Sequence, residues 1–117
     1  MKVIIAGSRT VSDYSIINDA IKKSCFTITE VVSGTCKGVD KLGEFYAKQH
    51  NIPIKQFPAD WSKGKSAGYL RNAEMANYAD ALIAIQHNNS KGTQHMINLA
   101  TKKGLKVFIL KVETNGI

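Results

Sequence analysis

EVVSGTCKGVDKLGEFYAKQH, Glu30–His50, passes from an apolar run through a glycine-bearing polar loop into a helical repeat. Val39, Leu42, Gly43, Tyr46, Ala47 and His50 recur at helical spacing, which predicts a helix over Gly38–His50 with one stripe laid on a sheet. The short run before it, Glu30–Ser33, reads as a strand covered on both faces. The same strand, turn and helix grammar repeats on either side.

Toward the N-terminus, Lys2–Ala6 reads as a strand, followed by Gly-Ser-Arg-Thr and a stripe of Ile17, Ala20, Ile21 and Ser24. Toward the C-terminus, strands are expected at Ile54–Phe57, Ala81–Ile85 and Lys106–Lys111, with Ile54–Phe57 the weakest and therefore at an edge. The stripes between them are Ala67, Leu70, Ala73 and Ala76, then Thr93, Ile97 and Ala100. Strands alternating with amphipathic helices indicate a parallel sheet with helical crossovers. The class is α/β, a Rossmann-like doubly wound five-stranded sheet with helices on both faces. Right-handed connections favour the order 3-2-1-4-5, with a ligand crevice outside the carboxyl ends of strands 1 and 4. One domain is expected over residues 1–112, with 113–117 as a tail.

Composition narrows the function classes. No apolar stretch reaches membrane-spanning length, and the N-terminal run before Gly7 is short for a secretory signal, so a cytoplasmic protein with no membrane partner is expected. Cys25 and Cys36 fall in different elements without CxxC spacing, which supports neither a metal site nor a disulfide and leaves both as ordinary thiols. The net charge of +7 favours anionic partners. The lysines (Lys22, Lys23, Lys37, Lys41, Lys63, Lys65, Lys102, Lys103) are scattered, unlike those of a dedicated DNA reader.

Polar and glycine residues gather directly after strands. In the first loop Gly7 permits a tight turn, Ser8 and Thr10 carry hydroxyls, and Arg9 offers a planar fork for phosphate. In SGTCKGVD, Gly34, Thr35 and Gly38 expose backbone N–H groups at a helix start, with Asp40 placed to accept from a ribose hydroxyl or to cap the helix. Trp61 stands in a polar loop, where it can stack on a base or fold over the helix end. Arg71 and the adjacent Asn72 follow in the next helix, with Arg71 off the apolar stripe and read by default as solvated. After strand 4, Ser90, Gly92 and Thr93 repeat the loop-to-helix grammar and face the first loop as a second anion cradle. His87 and His95 are acid–base candidates, with a surface role the default for either.

The ordered runs GSR, VVSGTCKGVD, DWSKGKSAGYLRNAEMANYADALIAI and SKGTQHMI resemble the SLOG superfamily, in particular its small stand-alone branch related to YspA and YpsA proteins. That resemblance implies a Rossmann-like fold and a nucleotide-derived ligand. It extends more distantly to LOG phosphoribohydrolases, where the position matching Arg71 is a catalytic or phosphate-contacting arginine. Those enzymes carry Pro-Gly-Gly-x-Gly-Thr-x-x-Glu after the strand. Here Gly92 and Thr93 match, but the lead is Asn-Asn-Ser and the glutamate position is Met96. A thioether neither activates water nor stabilises an oxocarbenium-like charge, so LOG-type hydrolysis is disfavoured.

The sequence therefore leads to a module that senses or sequesters a nucleotide, with ADP-ribose-type signalling nucleotides among the candidate ligands and no cofactor required. The binding set is Gly7, Ser8, Arg9, Gly34, Thr35, Gly38, Asp40, Trp61, Arg71, Asn72, Ser90, Gly92 and Thr93. One alternative is an N-glycosidic-bond hydrolase or transferase with Arg71 and Asp40 as catalytic candidates and Asp60, Glu74 or a histidine as substitute groups. Another is a single-stranded nucleic-acid binder, motivated by the charge and Trp61. Tyr69, Tyr78 and Phe108, read as exposed, lead to an expectation of homo-oligomers.

Overall fold

Val3, Ile4 and Ile5 are fully buried, and so are Ala81 to Ile85, a pattern that only strands sandwiched between two helical layers can satisfy. The computed structural model, which describes residues 1–64 and 66–113, places these two strands together at the centre of the sheet. In chain order the elements are β1 (Lys2–Gly7), α1 (Tyr14–Ser24), β2 (Glu30–Ser33), α2 (Val39–Gln49), β3 (Ile54–Gln56), a 3-10 turn (Trp61–Lys63), α3 (Ala67–Tyr78), β4 (Ala81–His87), α4 (Lys91–Lys102) and β5 (Lys106–Val112). All strand pairs are parallel and the order is β3-β2-β1-β4-β5. The expected sheet order is thus observed, and every element from Lys2 to Val112 joins one sheet and its helical layers. Residues 114–117 of the expected tail, and Lys65, lie outside the described residues.

The period-two alternation of the strands divides the core into two faces. Val3, Ile5, Val31, Ile83 and Ile85 pack with Ile17, Ala20 and Ile21 of α1 and Val39 and Ala47 of α2. Ile4, Ala6, Val32, Leu82 and Ala84 pack with Met75 and Ala76 of α3 and Met96, Ile97 and Ala100 of α4. Asp13 starts α1 as a side-chain cap, its Oδ1 accepting from the Ser15 N–H at 2.9 Å.

Two sequence expectations are corrected. The inward face of α3 is Ala67, Arg71, Asn72, Met75 and Ala76, whereas Leu70 is 51% exposed. The helix is rotated from the apolar stripe so that Arg71 and Asn72 turn inward, where they find hydrogen-bond partners. Of the aromatics read as exposed, only Tyr69 is. The Tyr78 hydroxyl donates to the Glu30 carboxylate while its ring packs on Phe57, and Phe108 lies against the core. Among the described residues no helix is long and apolar enough to cross a membrane.

Candidate functional site

The loops leaving β1, β2 and β4 meet at the carboxyl end of the sheet. At Gly7 an added Cβ would stand 2.2 Å from the Ile85 carbonyl oxygen, so glycine lets β1 turn directly against β4. Ser8 is 5% exposed and fixed there: its N–H donates to the Ile85 carbonyl at 3.1 Å, and its hydroxyl oxygen accepts from the His87 N–H at 2.9 Å. The hydroxyl expected to serve a ligand thus ties two loops together. Thr10 Oγ1 lies 2.5 Å from His87 Nδ1.

The β2–α2 loop is folded onto the β1 loop. Gly38, at φ +83°, has its Cβ direction filled by the Ser8 carbonyl oxygen at 2.5 Å and the Arg9 Cα at 2.7 Å. Asp40 Oδ2 accepts the Cys36 N–H at 3.2 Å, and the Gly7 N–H also bonds to this carboxylate. Burial pushes Asp40 up to about 6. The Cys36 N–H, the Arg71 charge and the Gly7 N–H oppose that rise, while Glu44 adds to it. Asp40 therefore clasps the loop where the sequence suggested a ribose acceptor or a helix cap. One turn on, the buried Glu44 accepts from Ser33 Oγ at 2.6 Å and Gln56 Nε2 at 3.2 Å, a buried polar cluster that the sequence did not announce.

Arg71 is buried rather than solvated, with 8% of its surface exposed. Its Nη1 donates to the Gly34 carbonyl, its Nε donates to Asn72 Oδ1 at 3.0 Å, and both terminal nitrogens approach Cys36 Sγ at 3.7 Å. Among the described residues the ion pair within 4.0 Å is Lys41–Glu44, so no carboxylate stands that close to the Arg71 guanidinium. Gly34 is required here, since its Cβ would meet Arg71 Nη1 and Asp40 Oδ2 at 2.8 Å each. Asn72 Nδ2 lies 3.2 Å from His95 Nδ1. The His95 ring leans on Tyr69 at 4.2 Å, and burial lowers its pKa.

After β4, Asn88 and Asn89 both take positive φ and the Ser90 N–H closes on the His87 carbonyl at 3.2 Å, forming a mirror-image turn. The turn delivers the chain to α4, whose cap residue Ser90 makes no side-chain cap bond. Thr93 Oγ1 donates to Ser90 Oγ at 3.2 Å. Nothing lies within 4 Å of a Cβ built on Gly92.

A cavity of about 570 Å³ lies between these loops. From the expected set it is lined by Gly7, Ser8, Arg9, Asp40, Trp61, Arg71, Asn72, Ser90, Gly92 and Thr93. Gly34 and Thr35 instead border a neighbouring cavity, and Gly38 borders neither. Residues not in the expected set also line it, among them Cys36, Tyr69, Met75 and Met96; Met96 is almost fully buried. Cys36 stands in the wall with Arg9 Nη2 at 3.8 Å on one side and Arg71 on the other. Trp61 is 55% exposed at the rim, with the Arg9 guanidinium 5.9 Å from its ring centre. Asp40 is the one carboxylate lining this cavity among the described residues, so Asp60 and Glu74 stand outside it. Asp60 instead caps the 3-10 turn through Ser62, which also holds it below its ordinary pKa.

No curated protein matches the chain. Among solved structures, DNA processing protein A (DprA) from Streptococcus pneumoniae superposes with a TM-score of 0.75 at 18% identity, over 92% of this chain and 49% of that one. The chain thus spans about half the length of that protein, and the likeness is one of fold. The family model of the YspA, cpYpsA-related SLOG family matches residues 1–64, which include the β1 and β2 loops and Trp61. With more than half its length in that match, and with its loops meeting as the motif order implies, this chain belongs to the YspA, cpYpsA-related SLOG family.

Proposed function

We propose that the chain binds a nucleotide or nucleotide-derived ligand of ADP-ribose type in the cavity at the carboxyl ends of β1 and β4, as a sensing or sequestering module. The observation that carries this reading is Arg71, a buried guanidinium in the cavity wall whose hydrogen-bond partners are a carbonyl, an amide and a thiol. The Asp40 carboxylate acts on this charge from beyond ion-pair distance without bonding to it, and a phosphate in the cavity would supply both a second charge and the acceptor pair that a guanidinium fits. Arg9 at the rim adds a second fork, the first turn of α4 presents backbone N–H groups, and Trp61 offers a face for a base.

Calorimetry with ADP-ribose, cyclic ADP-ribose, NAD and nucleoside monophosphates tests the proposal. Saturable heat is expected with at least one of them, and a silent panel with no co-purified ligand would count decisively against it. Single-stranded nucleic acid is the second reading, favoured by the +7 charge and half-exposed Trp61, and by likeness to a protein named for DNA processing. It predicts oligonucleotide binding that falls steeply with salt and no preference for a mononucleotide. Glycosidic hydrolysis ranks behind both, because Met96 stands at the matching glutamate position and Asp40 is engaged by backbone N–H groups.

A further inference from the structure

A second cavity of about 570 Å³ adjoins the first and shares Arg9, Cys36, Trp61 and Arg71 with it. Its remaining boundary is Gly34, Thr35, Lys37, Pro58 and Ala59, with no carboxylate lining it among the described residues. The partition between the two hollows is therefore built from both guanidiniums and the indole. Each hollow falls within the range that accepts a small molecule, roughly 300–1,000 Å³, so the second is large enough to take a ligand unit of its own.

Resting on the nucleotide reading above, we infer that the ligand is bipartite: two nucleoside or sugar units joined by a diphosphate, the second unit occupying the hollow beside Lys37, Pro58 and Ala59. The arrangement of charge supports this. Cations concentrate at the partition, where a diphosphate bridge would lie. Away from the partition the first hollow is lined by Ser90, Thr93 and Asn72, and the second by Thr35, Pro58 and Ala59 with Lys37 beside them. Thr35 adds an independent sign. A β-branched residue at φ +67° is strained, and such strain gathers where backbone is shaped for a ligand.

The test compares ADP with ADP-ribose by calorimetry, in the native chain and in two variants that touch only the second hollow. Ala59→Phe fills it, and Lys37→Gln removes a charge from an exposed position where folding is not at stake. ADP-ribose is expected to bind the native chain about tenfold more tightly than ADP. Ala59→Phe should weaken ADP-ribose about tenfold and Lys37→Gln about threefold, with ADP changed by less than about twofold in either. Equal affinity for the two ligands, or equal losses in the variants, overturns the second subsite while leaving nucleotide binding in place. Failure of both ligands to bind removes both proposals. A phosphodiester-linked dinucleotide that binds where ADP-ribose does not overturns the diphosphate assignment in favour of a nucleic-acid strand.

Discussion

The loops after β2 and β4 are written alike, with small polar residues and a glycine before a helix, yet they do different work. In the β2 loop the Cβ directions of Gly34 and Gly38 run into Arg71, Asp40, Ser8 and Arg9. The chain's own atoms fill that space, and the loop is a joint. Past the β4 loop, in the first turn of α4, the Cβ direction of Gly92 is open, although the residue lines the cavity. A loop's letters specify that close approach is possible; the surroundings decide what approaches.

The sharpest way to break this contrast is Gly38→Ala. Overpacking against fixed backbone combined with a positive φ should destabilise by about 4 kcal/mol, read as a lowered urea midpoint. A loss under about 1 kcal/mol would show that the β2 loop is not closed as described.

Asp40, the clasp of that joint, gives the next largest effect. Raised from 3.8 to about 6, its carboxyl stabilises the fold when protonated; this contribution is complete below pH 3.8 and lost as pH rises through about 6. The shift corresponds to about 3 kcal/mol. Asp40→Asn cannot ionise, so its stability relative to the native chain should improve by about that amount between pH 3.8 and pH 7. Parallel stability curves for the two proteins would remove the buried, disfavoured carboxylate from the picture.

Gly92→Ala sharpens the other half of the comparison, with the smallest effect on folding. Stability should hold or rise by up to about 1 kcal/mol, since the new methyl meets no neighbouring element and alanine is the better helix former. Affinity for ADP-ribose should fall about tenfold if the ligand rests on the start of α4. Unchanged affinity would move the ligand away from that helix.

Much of the architecture was legible before any coordinates. β1 and β4 are continuous apolar runs because both of their faces are covered, and the stripes of α1 and α4 fall on their buried faces, while that of α2 holds at Val39, Gly43 and Ala47 but misses the buried Asp40 and Glu44 and includes the exposed His50. The site was legible as a set of loops, and less so as roles. Periodicity assigns polar residues outward, so it placed Arg71 in solvent; only the cavity beneath α3 explains a buried arginine and asparagine. Ser8 and Asp40 both line the cavity, but spacing could not show that the His87, Cys36 and Gly7 N–H groups bond to them. Cys36 and Glu44 carry no motif at all, and their surroundings arise from residues far along the chain.

Arg71 offers the most direct measurement. Trp61 is the sole tryptophan and stands at the cavity rim, so its fluorescence reports on the site without a label. ADP-ribose titrated into the native chain should give a saturable change, and in Arg71→Met, confirmed as folded by its far-ultraviolet spectrum, the midpoint should move by about a hundredfold or more. Superimposable curves in the two proteins would contradict the proposal that an anionic ligand rests on the Arg71 guanidinium.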